Sequence, residues 1–191
     1  MAQRSVLSTL SILIITLMIS ACSRQALYDN AIGWERSSAG LEESSITVGE
    51  MTIAYLSNAE PVDGDTIVLV HGFGANKDNW TRLARQLTDE FNVYAIDLPG
   101  HGDSSKELDL GYRFEDQVRH LSRILDALGV QRAHMMGNSM GGAISAIYAA
   151  RFPDDIASLI LIDSAGLDGE NQSQFFAELE AGNNPLIATD K

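Results

Sequence analysis

Gly137-Asn138-Ser139-Met140-Gly141 sets a serine midway between two glycines. Residues 133–136 read as a strand, and residues 140–151 as a helix that stops before Pro153. A serine on a sharp strand-to-helix turn is held with its hydroxyl exposed, poised as a nucleophile toward a carbonyl carbon. Such a turn has a strained backbone, so its flanks must be small. Gly137 and Gly141 permit neighbouring backbone to approach, and Gly142 and Ala143 keep the first helical turn lean. The helix N-terminus adds a positive dipole end where negative charge would develop. A glycine-rich turn can instead bind phosphate, but no lysine of the P-loop type follows this one.

Two further loops close predicted strands. His71-Gly72-Phe73-Gly74 follows the apolar run 66–70. By position, the backbone N–H groups of Phe73 and Met140 would form an oxyanion hole, the first from this loop and the second from the residue after the serine. His71 precedes the serine and ends a strand, so it reads as a brace for its loop. Asp97-Leu98-Pro99-Gly100-His101-Gly102-Asp103-Ser104 follows the strand 92–96. With one proline and two glycines it is a tight turn, in which Asp97 and His101 read as turn-forming and hydrogen-bonding residues.

These loops need a scaffold that alternates strands and helices. Around Gly49-Glu50, residues 46–48 and 51–56 predict a hairpin. Residues 66–70 are continuously apolar, as in a parallel strand covered on both faces. Trp80, Leu83 and Leu87 share a helical face. Phe114, Val118, Leu121, Leu125 and Leu128 recur at four, three, four and three, and Gly129 closes that helix. Residues 157–162 predict a sixth strand. The result is an α/β fold with a mostly parallel sheet and flanking helices. A short polar helix is expected around 175–180.

HGFGANKDNW, DLPGHGDSS and GNSMGGAISAIYAARFP, in this order and spacing, resemble the α/β-hydrolases, and more closely the Moraxella/Psychrobacter type of bacterial lipases and esterases; AGNNPLI near the end adds to the likeness. The resemblance runs from residue 46 to 191. It implies acylglycerols or other carboxylic esters as substrates, a Ser–Asp–His triad and no cofactor or metal, with Ser139 as nucleophile and Phe73 with Met140 as the oxyanion hole. The family order is serine, acid, histidine, yet the last histidine here is His134. The triad acid and histidine are therefore expected outside these 191 residues, and the chain is expected to be a C-terminally truncated, inactive and poorly stable piece. Asp163 stands where a few relatives place the acid, but this group uses the following strand, so Asp163 reads as a loop residue. A serine at the turn disfavours dehalogenases and epoxide hydrolases, which need aspartate there. Carbon–carbon bond hydrolases, haloperoxidase-like relatives and a non-catalytic ligand-binding lipoprotein stay open as alternatives.

The N-terminus reads as an address. Arg4 precedes an apolar stretch from Val6 to Ile19, matching the h-region of a secretory signal. Ile19-Ser20-Ala21-Cys22 resembles a bacterial lipobox, so residues 1–21 are expected to be removed and Cys22 lipidated. Cys22 is the chain's single cysteine, which excludes an intramolecular disulfide. Ser23 rather than aspartate after it is compatible with the outer membrane; a periplasmic or secreted protein is the alternative. Residues 22–45 read as a polar linker or surface arm, 46–165 as the incomplete core and 166–191 as the start of a cap. The formal charge of −13 argues against nucleic acid, because little here would neutralise phosphates. With 45% apolar and 20% charged residues the composition is that of a globular protein.

Overall fold

The computed structural model describes residues 24–166 and Ala181. The expected signal segment, Cys22, the polar helix around 175–180 and nearly all of the expected cap lie outside the described residues. Helix α1 covers residues 24–38. A hairpin follows, β1 (Leu41–Val48) with β2 (Met51–Asn58), turning at Gly49-Glu50 as predicted. Then come β3 (Thr66–Val70), a 3₁₀ turn (Lys77–Trp80) running into α2 (Thr81–Ala84), β4 (Asn92–Ile96) and α3 (Phe114–Leu128). The described elements end with β5 (Ala133–Asn138), α4 (Met140–Arg151) and β6 (Ile156–Ile162).

The six strands form one sheet in the order β1-β2-β4-β3-β5-β6. β3 lies parallel to both β4 and β5, and β6 is parallel to β5, while the hairpin joins antiparallel to β4. Alternation along β3 shows why its run is continuously apolar. Val68 and Val70 pack with Val118, Leu121, Ile144 and Tyr148 on one face; Ile67 and Leu69 pack with Trp80 and Ala84 on the other. Gly129, at φ 73°, ends α3 in the left-handed conformation that a Cβ would penalise.

Two details differ from the sequence reading. Within the segment read as a polar linker or surface arm, α1 occupies 24–38, and β1 begins at Leu41, five residues before the predicted strand. The arm is fastened by Arg36, whose guanidinium reaches Asp78 (2.6 Å) and Glu43 (2.5 Å), and by Ala39 and Leu41, which are buried. Phe114, placed on the buried face of α3 by its spacing, is exposed; it opens the helix, and Ile124 fills the face further along.

Candidate active site

Ser139 stands between the last residue of β5 and the first of α4, with φ 51° and ψ −116°. A non-glycine residue at positive φ outside the left-handed helical well is strained. The turn is tied down from β6, because the Ser139 N–H donates to the Ile162 carbonyl (3.0 Å) and the Ala165 N–H donates to the Ser139 carbonyl (3.0 Å). The small flanks are forced by contact. A Cβ on Gly137 would lie 2.3 Å from the Gly141 carbonyl oxygen, and one on Gly141 would lie 2.2 Å from that of Val70. On Gly142 it would meet the Ser164 side chain at 2.7 Å.

Gly72 lies against the serine, since a Cβ built on it would be 3.2 Å from that of Ser139. The next residue is Phe73. Met140 holds the first position of α4, where a backbone N–H has no acceptor within the helix. Among the described residues the Phe73 N–H has no hydrogen-bond partner either. Phe73 and Met140 line a common cleft of about 450 Å³, with His101, Lys106, Tyr112 and Gln117 among its other walls. The two residues assigned as donors thus line one cleft, and Met140 directly follows Ser139.

None of the four histidines hydrogen-bonds to Ser139. His71 is buried, accepts at Nε2 from the Leu98 N–H (3.1 Å) and donates from Nδ1 to the Gly72 carbonyl (2.7 Å). Burial holds its basicity below the ordinary histidine value, which keeps the ring neutral in this role. His71 therefore couples the loops after β3 and β4, as the brace reading expects. His101 packs its ring against His71 and, edge-on, against Phe73. His120 on α3 contacts the Leu110 carbonyl, and His134, far along β5 from the serine, contacts Ser158 Oγ. Asp163 follows β6 with φ 44°, an exposed residue of the loop through which β6 meets the elbow.

Asp97 is fully buried and holds the neighbouring turn together. Its carboxylate accepts from the Lys77 N–H (2.6 Å), Lys77 Nζ (2.9 Å) and the Asp103 N–H (2.8 Å). Gly102 packs so closely that a Cβ there would fall 2.0 Å from that carboxylate. The turn-forming role expected for Asp97 is what the geometry gives.

Lys77 is the residue that sequence reading passes over. Its side chain has no exposed surface, and its ammonium also meets Asp103 (2.6 Å) and Glu43 (2.9 Å). Burial alone would lower its basicity, but bonds to three carboxylates outweigh that and raise it. The same contact holds the Asp103 carboxyl below its ordinary value. No local pattern marks this lysine, because its partners lie 20, 26 and 34 positions away by number. Gln117 was also unmarked; its Nε2 donates to the Pro99 carbonyl and anchors the turn to α3.

The order of the strands, the strained serine and its glycine-packed flanks agree with what residues 65–185 match, the family described as alpha/beta hydrolase fold. The chain belongs to that family. As an α/β-hydrolase it is 45% identical to Lipase 1 of Psychrobacter immobilis over 160 residues, which are 82% of this chain and 49% of that one. It is 41% identical to Lipase 3 of Moraxella sp. (strain TA144), covering 84% of this chain and 51% of that protein. The crystal structure of a bacterial membrane phospholipase A superposes with a TM-score of 0.86 at 42% identity, covering 97% of this chain and 59% of the other. The chain therefore spans about half the length of the curated lipases it matches.

Proposed function

We propose that this α/β-hydrolase chain carries the nucleophile and oxyanion hole of a lipase or esterase acting on carboxylic esters of lipids. The observation that carries the reading is the strained Ser139, φ 51° between strand and helix, with Phe73 and Met140, the residues assigned as donors, lining one cleft. In the proposed reaction Ser139 Oγ attacks the ester carbonyl carbon, and its proton passes to a general base, a role that none of the four histidines fills in the described geometry. The carbonyl oxygen takes up the negative charge and is met by the N–H groups of Phe73 and Met140. Collapse expels the alkoxide, which takes from the base the proton that Ser139 gave up and leaves as alcohol; the acyl-enzyme that remains is cleaved by water to free acid. No cofactor or metal is needed for any of these steps.

Ser139→Ala in the full-length enzyme is expected to lower p-nitrophenyl ester turnover by about 10³-fold or more. Turnover like that of the unsubstituted enzyme would refute the assignment. The names of the relatives point to lipid esters, and the lipobox-like Ile19 to Cys22 points to a bacterial envelope protein held by an acylated Cys22. Intact-mass measurement of the membrane fraction should show added acyl mass that Cys22→Ala removes; an unmodified soluble protein would exclude the anchor.

One observation favours a second reading, a lipoprotein that binds ligands without turnover: no histidine of this chain reaches Ser139. Ester turnover by the full-length protein that survives purification and is lost with Ser139→Ala decides against it. Inertness toward every ester tried would favour it.

A further inference from the structure

Helix α1 leaves large apolar side chains in the open: Leu27 is 70% exposed, Trp34 69% and Tyr28 61%, while Ile32 is half-buried and the charged Arg36 points inward to Asp78 and Glu43. On a helix, Leu27, Ala31 and Trp34 fall at i, i+4 and i+7 and so form one stripe. Arg36 lies on the opposite side, and its ion pairs fix the direction in which that stripe faces. Trp34 also borders a groove of about 250 Å³ with Arg82 and Arg85 from α2 and the turn after it. Both arginines are exposed; Arg82 has only a loose ion pair to Glu35 (3.5 Å), and Arg85 has none among the described residues. In a chain of formal charge −13 this local basic border to an apolar stripe stands out.

We infer that this face of α1 lies on a phospholipid bilayer, with Leu27 and Trp34 at the boundary between head groups and acyl chains and with Arg82 and Arg85 meeting head-group phosphates. The proposal rests on the anchoring reading above for how the chain reaches the bilayer; Cys22, which that reading acylates, stands two positions before the helix. An indole suits the interface because one part of the ring is apolar and another hydrogen-bonds. Guanidiniums on long stems reach phosphates while their methylenes stay near the apolar layer. A helix with such a stripe lies in the plane of the interface. The acidic balance of the whole molecule disfavours attraction to an anionic surface, so the stripe and its arginines supply the contact.

The chain has two tryptophans, and Trp80 is only 6% exposed, so Trp34 is a native reporter of this surface. The full chain carrying Trp80→Phe is reconstituted with phosphatidylcholine vesicles whose acyl chains are brominated or plain. The expected result is a blue-shifted Trp34 emission that brominated lipid cuts by more than half and aqueous iodide no longer quenches. Arg82→Glu with Arg85→Glu should restore most of the iodide quenching while the protein still floats with the vesicles. If the chain floats but Trp34 stays open to iodide and untouched by bromine, the inference fails and the anchor stands. If Trp34 is shielded from iodide yet untouched by bromine, a second copy of the chain covers the stripe and the inference also fails. A chain that does not float overturns both. The unsubstituted chain repeats the measurement should Trp80→Phe disturb folding, since buried Trp80 adds a constant background.

Discussion

Ser139 holds a backbone conformation that costs of the order of 1–3 kcal/mol for a residue with a Cβ. The strain exists because β6 and the loop after it grip both sides of the peptide at Ser139, and because α4 begins at the next residue. Glycine occupies that conformation freely but gives up more entropy on folding, about 0.4–1 kcal/mol. Ser139→Gly should therefore raise stability by about 1 kcal/mol, seen as a higher urea midpoint with an unchanged slope, while removing any ester turnover that depends on the Ser139 hydroxyl. A midpoint that falls would mean that the hydroxyl, or the Cβ, stabilises the elbow in a way the geometry does not reveal. This residue was legible in the sequence because its requirements are local: three small neighbours within four positions, each explained by a contact with backbone or with Ser145 or Ser164. His71 and Asp97 were legible as supports on similar grounds, each ending a strand and beginning a turn.

At the scale of elements, legibility followed the reach of the stabilising contacts. β3, β4 and α4 fall where periodicity and turn residues put them, since their burial pattern is written in consecutive side chains. α1 was missed because Leu27 and Trp34 lie on its exposed side while Arg36 makes its inward ion pairs, so no apolar stripe facing the core marks it as a surface helix. Lys77 was missed for a related reason: a lysine is read as solvated, and only the folded chain brings Asp97, Asp103 and Glu43 around it. That cluster joins β1, the start of the 3₁₀ turn and the turn after β4, so it should be strongly coupled. Lys77→Met leaves the buried Asp97 with backbone donors alone and is expected to cost about 3 kcal/mol. Lys77→Met with Asp97→Asn should recover part of this, and a double-mutant cycle showing no coupling would contradict the account. The pH dependence has a definite sign. The basicity of Lys77 is raised on folding, so its contribution is complete below the ordinary lysine value of 10.5 and is lost only as pH rises through the higher value of the folded state. Alkaline urea titrations should show a decline above pH 10.5 that Lys77→Met abolishes.

For the whole molecule, the elbow depends on the strand at the margin of the described sheet. Among the described residues β6 pairs only with β5, and its side chains Ile160 and Ile162 are 43% and 36% exposed. An apolar strand with an unpaired side is a template for pairing between chains, and exposed isoleucines on it add to the tendency. The same strand holds Ser139 in place through the Ile162 carbonyl, so disturbance of β6 reaches Ser139 directly. We therefore expect the 191-residue chain to self-associate as its concentration rises and to hydrolyse p-nitrophenyl esters far more slowly than a version as long as the lipases it resembles. Two causes can be separated. Ile160→Lys places a charge on the exposed side of β6 and should keep the chain monomeric in sedimentation at concentrations where the unsubstituted chain associates. It should not restore ester turnover, because no histidine of this chain meets Ser139 and the hydroxyl keeps its proton. A urea melt followed through Trp34 and Trp80 reports whether the sheet remains cooperative in each case. A monomeric, cooperatively folded chain of 191 residues that turns over esters at the rate of the longer enzyme would show that the proton acceptor lies within these residues, and would overturn the assignment of the base.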